Sequence, residues 1–242
     1  MTRVGSVSEF NSKIYDILDH VEYRRIETAE DMEAVARLRE KSFKAANLMP
    51  FLKEGLVDEL DYDSHAFVFG VYYDERLVST VRIHHVTPAH RVSTCGKAFP
   101  EVIEPMLDAG MIMIDPARLA ADPEFLAEVP AIPYLTLRIA TMATDYFDAH
   151  RCFAFTKVQH SAFYRRVFRA HQVVPPQVNW NSYNVDAVLM AVDVPVVLPK
   201  LYVRYPFFRS QPFEQRMMFA SREELGIMPL TIRPTARYLA LA

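Results

Sequence analysis

The feature that most narrows what this chain can fold into is a pair of arginines set inside apolar periodicity. Arg39 lies seven residues after Met32 and four before Phe43, so a helix through Met32, Val35, Ala36 and Phe43 carries it on the buried stripe. Arg82 lies in a strand-like run of Val, Thr and Ile, where period-two alternation sets it on the same face as Val78 and Thr80. The plain alternative for each is an arginine that snorkels from its element's edge or lies on an exposed strand face. If both are buried, carboxylates must stand beside them, because an unpaired buried charge costs several kcal/mol. Asp58 and Asp61, ahead of the strand, and Asp115, at the end of the apolar run Met111 to Ile114, are the candidates. Asp115-Pro116 is also good turn chemistry and reads equally as the end of that strand.

Around these residues the periodicities lay out a simple order. Phe10, Ile14, Ile17 and Leu18 predict a short amphipathic helix. Thr28 caps a second one, with Glu30 and Asp31 in its first turn and its end near Lys44. Residues 45 to 64 read as irregular and acidic. Strands at 67 to 73 and 76 to 84 form a hairpin across Asp74-Glu75. A short helix at 100 to 107, a buried strand at 111 to 115, a helix at 134 to 150, a strand at 152 to 156, a helix at 161 to 170 and a strand at 185 to 192 follow, and Val174-Pro175-Pro176 ends the helical part. A hairpin leading into β-α-β-α-β implies an α/β fold, a mixed and mostly antiparallel sheet with helices on both faces. The GNAT acetyltransferase fold has this order. We divide the chain into a helical extension (1–22), a main domain (23–195) and a C-terminal extension (196–242) that is rich in aromatics and arginine and packs on the same domain.

Composition bounds the partners. The net charge of −3 conceals a split: residues 1–150 hold 15 basic and 25 acidic side chains, residues 151–242 hold 12 and 5. An acidic first half argues against nucleic acid. Two distant cysteines, Cys95 and Cys152, imply neither a disulfide framework nor a zinc site and suit a reducing, cytoplasmic setting. The adjacent His84 and His85 point to opposite faces of a strand and cannot chelate together, so no metal is expected. The first twenty residues lack the apolar core of a signal peptide, and no run is long enough to span a membrane.

The ordered set Arg39-x-x-x-Phe43, Asp58-x-x-Asp61, Arg82, Phe99-Pro100 and Asp115-x-x-Arg118 resembles the signature of the acyl-homoserine lactone synthases and the related N-acyl amino acid synthases, over roughly residues 23 to 170. The resemblance implies an acetyltransferase-like fold in which Arg39, Phe43, Asp58, Asp61, Arg82, Asp115 and Arg118 form a buried charged network beside an acyl-transfer site, with Phe99 lining it. Two departures bear on the choice within the family. Asp115 stands where the family has glutamate. The tryptophan that lactone synthases carry after the first helix, near the site for S-adenosylmethionine, is missing: residues 45–55 offer Leu48, Met49 and Phe51, and the single tryptophan is Trp180. The N-acyl amino acid reading is untouched by that absence.

The donor follows from charge. Residues 119–133, where ordinary acetyltransferases carry a glycine-containing pyrophosphate loop, contain no glycine and hold Asp122, Glu124 and Glu128. By contrast residues 151–170 carry Arg151, Lys157, Arg165, Arg166 and Arg169 and no acid. Such a stretch suits an acidic acyl carrier protein, which the resemblance also implies, although a solvated helix face would read the same way. The segment 160–168, His-Ser-Ala-Phe-Tyr-Arg-Arg-Val-Phe, resembles the acetyltransferase helix whose tyrosine sits near the thioester sulfur, so Tyr164 is the candidate proton donor to the leaving thiolate.

The expected reaction is attack by the amine of an amino acid, or a similar small amine, on a long-chain acyl thioester. Asp115 would be the base, strand N–H groups near it would hold the oxyanion, and Arg82 and Arg118 would hold the acceptor's carboxylate or fix the aspartates. No cofactor is required; acyl carrier protein or coenzyme A brings the acyl group. The rivals are a lactone synthase that uses S-adenosylmethionine, a coenzyme A-dependent acetyltransferase, and a non-catalytic module of the same fold. The role of residues 196–242, as flap, dimer surface or lid, is left open by the sequence.

Overall fold

The computed structural model describes residues 4–48, 55–177, 186–226 and 231–240. Trp180, Met49 and Phe51 lie outside them. Among the described residues one sheet holds seven strands, which lie side by side in the order β1 (Val21–Arg25), β2 (Ala66–Tyr73), β3 (Arg76–Val86), β4 (Met113–Ala121), β5 (Arg151–Lys157), β7 (Ala187–Asp193) and β6 (His171–Gln177). Its heart is the hairpin of β2 (Ala66–Tyr73) and β3 (Arg76–Val86). The turn residues Asp74 and Glu75 both adopt positive φ, 44° and 68°, the twist that lets a two-residue loop join antiparallel strands. β1 (Val21–Arg25) pairs with β2 on the outer side. The charged residues Glu22, Arg24 and Arg25 hide this strand in the sequence, although Val21 and Tyr23 alternate inward.

Helices α1 (Val4–Leu18), α5 (Pro123–Glu128) and α6 (Ile132–Tyr146) cover one face together with α7 (Ser161–Phe168) and α8 (Val194–Arg204), and bury Ile14, Leu18, Phe125, Leu135 and Phe168 in one core with Val81, Ile83 and Ile114. The other face carries α2 (Ala29–Ala45), α3 (Thr94–Ala98) and α4 (Pro100–Asp108), over Val68, Val86 and Met113. The Thr28 hydroxyl caps α2 by accepting the Asp31 N–H at 3.1 Å. The C-terminal segment, with α9 (Pro212–Phe219), α10 (Arg222–Leu225) and α11 (Ala236–Ala240), returns to the first face. There Arg138 of α6, wholly buried, donates to Glu214 of α9 and to the carbonyls of Phe207 and Arg209.

Four expectations are corrected. Asp115-Pro116 does not end a strand: β4 runs Met113–Ala121. Its parallel ladder to β5 (Arg151–Lys157) does stop early, after Met113 with Arg151 and Ile114 with Cys152. A proline has no N–H for a ladder, and Pro116 stands where the two strands part. The Pro175-Pro176 pair lies in β6 (His171–Gln177), an edge strand, where proline removes no needed hydrogen bond. β6 pairs with β7 (Ala187–Asp193). The long helix is α6, 132–146 rather than 134–150, and it is followed directly by β5. Finally, Arg82 does not share a face with Val78. Val71 opposes Ser79 and Tyr72 opposes Leu77, so Val78 is a bulged residue, and the phase of β3 flips there.

Candidate active site

Because of that flip, Arg82 and His84 face α2 and α3, whereas Val81 and Ile83 face α6. Asp115, the direct partner of His84 on β4, faces the same way. Arg39 arrives from α2 and is wholly buried, as is Arg82 to within 1 %. Snorkelling is excluded for both.

The spacing Asp58-x-x-Asp61 has a local cause. Asp58 caps the 3-10 turn Glu59–Tyr62 by accepting the Leu60 N–H at 3.0 Å, and Asp61 reaches back to accept the Asp58 N–H at 3.0 Å. This reciprocal cap fixes both carboxylates before any arginine arrives. Arg39 then donates to the two oxygens of Asp61 at 2.9 Å each and to the Leu56 carbonyl at 2.9 Å. Arg82 donates to Asp58 at 2.5 Å, lies 3.3 Å from Asp61, and reaches the Thr94 hydroxyl at 2.9 Å. Arg118 donates to the other Asp58 oxygen and to the Gly55 carbonyl. Burial alone would raise the Asp58 carboxyl, but Arg82 and Arg118 outweigh it and hold it below its ordinary value. Burial draws the Arg39 guanidinium down, and Asp61 opposes this.

Asp115 stands apart from this network. Its oxygens accept the Cys95 N–H at 2.7 Å and the Cys95 thiol at 3.1 Å, whereas Arg82 and Arg118 both donate to Asp58. Burial first, then Asp115, pushes the Cys95 thiol well up, so it stays a protonated donor. The first turn of α3 thus serves both acids and bases, Thr94 for Arg82 and Cys95 for Asp115. Neither residue was singled out from the sequence; Ser93, which caps α3 by accepting the Gly96 N–H at 3.0 Å, was the available signal.

β4 carries a second irregularity. Arg82 opposes Ala117 and Thr80 opposes Ala120, so Arg118 and Leu119 bulge against Val81 alone. Arg118 takes φ 54°, a strained value for a side chain other than glycine. The bulge turns Arg118 back toward Asp58 at the edge where β4 and β5 separate.

Across the sheet an apolar cavity of about 40 Å³ opens at that separation. Pro116, Ala140, Cys152, Tyr164, Phe168 and Leu201 are among its walls. Burial pushes Tyr164 up to about 12, with Thr156 lowering it and Cys152 raising it, so the phenol is neutral at physiological pH. Burial likewise pushes Cys152 up to about 12 and makes it a poor nucleophile.

The remaining predicted residues fall as follows. Phe99 is buried at the start of α4 and meets Phe155 edge-on, ring centres 5.0 Å apart, so it lines the core under α3 and α4. Phe43 is half-buried in the last turn of α2. Arg165, Arg166 and Arg169 are exposed at the end of α7, and Lys157 is half-buried. Arg151 lies at the far end of β5, 3.1 Å from Asp193. His85 points away from His84 and stacks on Phe147, centres 3.9 Å apart. Among the described residues no His, Cys, Asp and Glu cluster is built to hold a metal ion, and no helix is long and apolar enough to cross a membrane.

A buried charged face and an apolar cavity thus lie on either side of β4 where the parallel strands diverge. Residues 34–193 match the sequence profile of the N-acyl amino acid synthase FeeM, and the chain belongs to that family. Among solved structures it resembles FeeM, an N-acyl amino acid synthase from uncultured soil microbes, with 15 % identity and a TM-score of 0.61 over 76 % of this chain and 96 % of that one. It also resembles BjaI, a coenzyme A-dependent acyl-homoserine lactone synthase, with 13 % identity and a TM-score of 0.55 over 77 % and 90 % of the two chains. For the lactone synthase LasI the values are 12 %, 0.54, 72 % and 89 %. At these identities the likeness is one of fold. No curated protein matches the chain by sequence.

Proposed function

We propose that the protein moves a long-chain acyl group from an acyl carrier protein thioester to the amine of an amino acid or related small amine. The observation that carries this reading is the placement of Asp115 and the apolar cavity on opposite faces of β4, at the point where β5 leaves it. The thioester end of the acyl chain lies at the cavity and the acceptor approaches from the α2–α3 side. A free amine with a pKa near ~8 needs only a modest base. Asp115 keeps lone pairs beyond the two that Cys95 fills, and takes the proton as the C–N bond forms. N–H groups of β4 beyond Ile114, past the end of the β5 ladder, stabilise the oxyanion. Tyr164, neutral and at the cavity wall, protonates the departing thiolate. Arg39, Arg82 and Arg118 act as scaffold, since each guanidinium is engaged by Asp58 or Asp61.

For the donor, the exposed Arg165, Arg166 and Arg169 of α7 adjoin α8, where Arg204 donates to the Arg166 carbonyl and Val196 and Val203 lie exposed. Cations around apolar points suit an acidic carrier helix. BjaI, with isopentyl-CoA in its structure, marks coenzyme A as the other donor to test. We place the reaction in the cytoplasm, where the free thiols Cys95 and Cys152 stay reduced.

Mass spectrometry of lipid extracts from cells expressing the protein should reveal a long-chain N-acyl amino acid that is lost with Asp115→Asn. Purified Asp115→Asn should fold normally and lose about 100-fold in kcat. Full activity in that variant would overturn the site. An acyl lactone, with release of methylthioadenosine, would overturn the acceptor.

A further inference from the structure

Three buried polar atoms on the α2–α3 side of β3 have no protein partner among the described residues: Nε of Arg82, and Nδ1 and Nε2 of His84. His84 is wholly buried. Arg82 and His84 are two apart on one strand and share a face. In the ladder His84 stands between Ala66 of β2 and Asp115 of β4. Ala66 offers only a methyl group, so the polar neighbour across the sheet is Asp115.

An orphaned buried polar atom costs stability, and a phenylalanine or leucine would fill this place without that cost. A histidine here therefore does something that an apolar side chain cannot. A carboxylate offers about four lone-pair positions, and Cys95 fills one on each oxygen of Asp115. An enclosed water typically makes about three hydrogen bonds to otherwise unsatisfied groups. Arg82 Nε, a ring nitrogen of His84 and a lone pair of Asp115 supply that set.

We propose that His84 is a positioning residue for Asp115: enclosed water joins Arg82 Nε, the His84 ring and the Asp115 carboxylate, and holds that carboxylate turned toward the gap between β4 and β5. The proposal rests on the reading of Asp115 as the base. Burial holds His84 down to about 4; Asp115 pulls it up, Arg82 pushes it further down, and Asp63 and Asp58 raise it. At neutral pH the ring is uncharged, with one N–H to give and one nitrogen to accept. It links the Asp58–Arg82 network to Asp115 without adding a charge, and so couples the scaffold to the base.

The test compares His84→Phe, His84→Gln and Asp115→Asn, using a long-chain acyl carrier protein thioester, an equimolar amino-acid mixture and detection of released thiol. His84→Phe should melt within a few degrees of wild type and lose about tenfold or more in kcat with KM within about threefold. His84→Gln, which restores a donor and an acceptor, should recover most of the rate. Wild-type kcat in His84→Phe would overturn the proposal, as would a rate loss that tracks a lowered melting temperature and is not recovered by glutamine. If Asp115→Asn is inactive while His84→Phe is unaffected, only this proposal fails. If Asp115→Asn is fully active, the base assignment fails and takes the proposal with it.

Discussion

Replacing Arg39 by methionine tests whether the charged network is a scaffold. The side chain is wholly buried and makes three hydrogen bonds, two to Asp61 and one to the Leu56 carbonyl. Methionine fills much of the volume, so the main loss is electrostatic. Asp61 would keep the Asp58 N–H at 3.0 Å and Arg82 at 3.3 Å, and would not be wholly abandoned. Removing one partner of a buried pair costs about 3–5 kcal/mol, and the surviving contacts put this case near about 3 kcal/mol. For a chain of this size each kcal/mol lowers the melting temperature by about 2–4 °C, so Arg39→Met should melt about 6–12 °C lower, measured by circular dichroism and checked in urea. Adding Asp61→Asn removes the stranded charge while an amide oxygen still caps the Asp58 N–H, and should recover more than half of the loss. The reasoning fails if Arg39→Met melts within 2 °C of wild type, or if the double variant is no more stable than the single one.

Three further outcomes follow from the geometry. Tyr164→Phe should lower kcat about tenfold with an ordinary thioester, and the defect should vanish with an aryl thioester whose thiolate leaves unaided; an equal defect with both donors would remove Tyr164 from proton transfer. Burial acts to raise Asp122, but Arg76, Lys41 and the N–H groups of Phe125 and Glu124 hold it at about 2. A depressed carboxyl contributes stability above its unfolded pKa near ~3.9 and loses it as pH falls, so Asp122→Asn should flatten stability between pH 4 and 2; with Lys41 and Arg76 about half exposed, the effect at pH 7 should be about 1 kcal/mol. Reversing Arg165, Arg166 and Arg169 to glutamate should raise KM for the carrier-bound donor about tenfold at low salt and leave acyl-coenzyme A unaffected; equal KM values for the carrier would remove α7 from docking.

What was legible in the sequence was local. Thr28 as a cap, the Asp74-Glu75 turn and the apolar stripe of α2 are properties of neighbouring residues, and each stands in the structure where its chemistry predicts. The ordered arginines and aspartates were legible as a set only through their resemblance to the synthase signature, and the reciprocal cap that explains the Asp58-Asp61 spacing came with the structure. The features that escaped depend on phase and on distant partners. The bulge at Val78 shifts β3 by one residue and reverses which face Arg82 occupies, and no composition signal marks it. Cys95 meets Asp115 only because α3 docks beside β4, twenty residues away in sequence. Asp115-Pro116 misled because a proline ends a strand in most contexts. At this strand, one side of which has lost its neighbour, the same residue is permitted and the strand continues.

That exception bears on how the chemistry is assembled. A transfer site of this kind must bring a water-fearing chain and an amine that needs a base to a single carbon, yet keep the base out of the apolar cavity. Successive side chains on a strand point to opposite faces, so in the proposed reaction Asp115 and Pro116 divide those tasks across one peptide bond. Asp115 turns to Cys95, on the face that carries the charged scaffold, and Pro116 turns to the cavity beneath α6. Had β5 remained paired with β4 past Ile114, the sheet itself would stand between the two halves. The ladder of these strands stops at Ile114, and the bulge at Arg118 ties the freed edge of β4 to Asp58, so that edge is braced by the same buried charges that first constrained the fold.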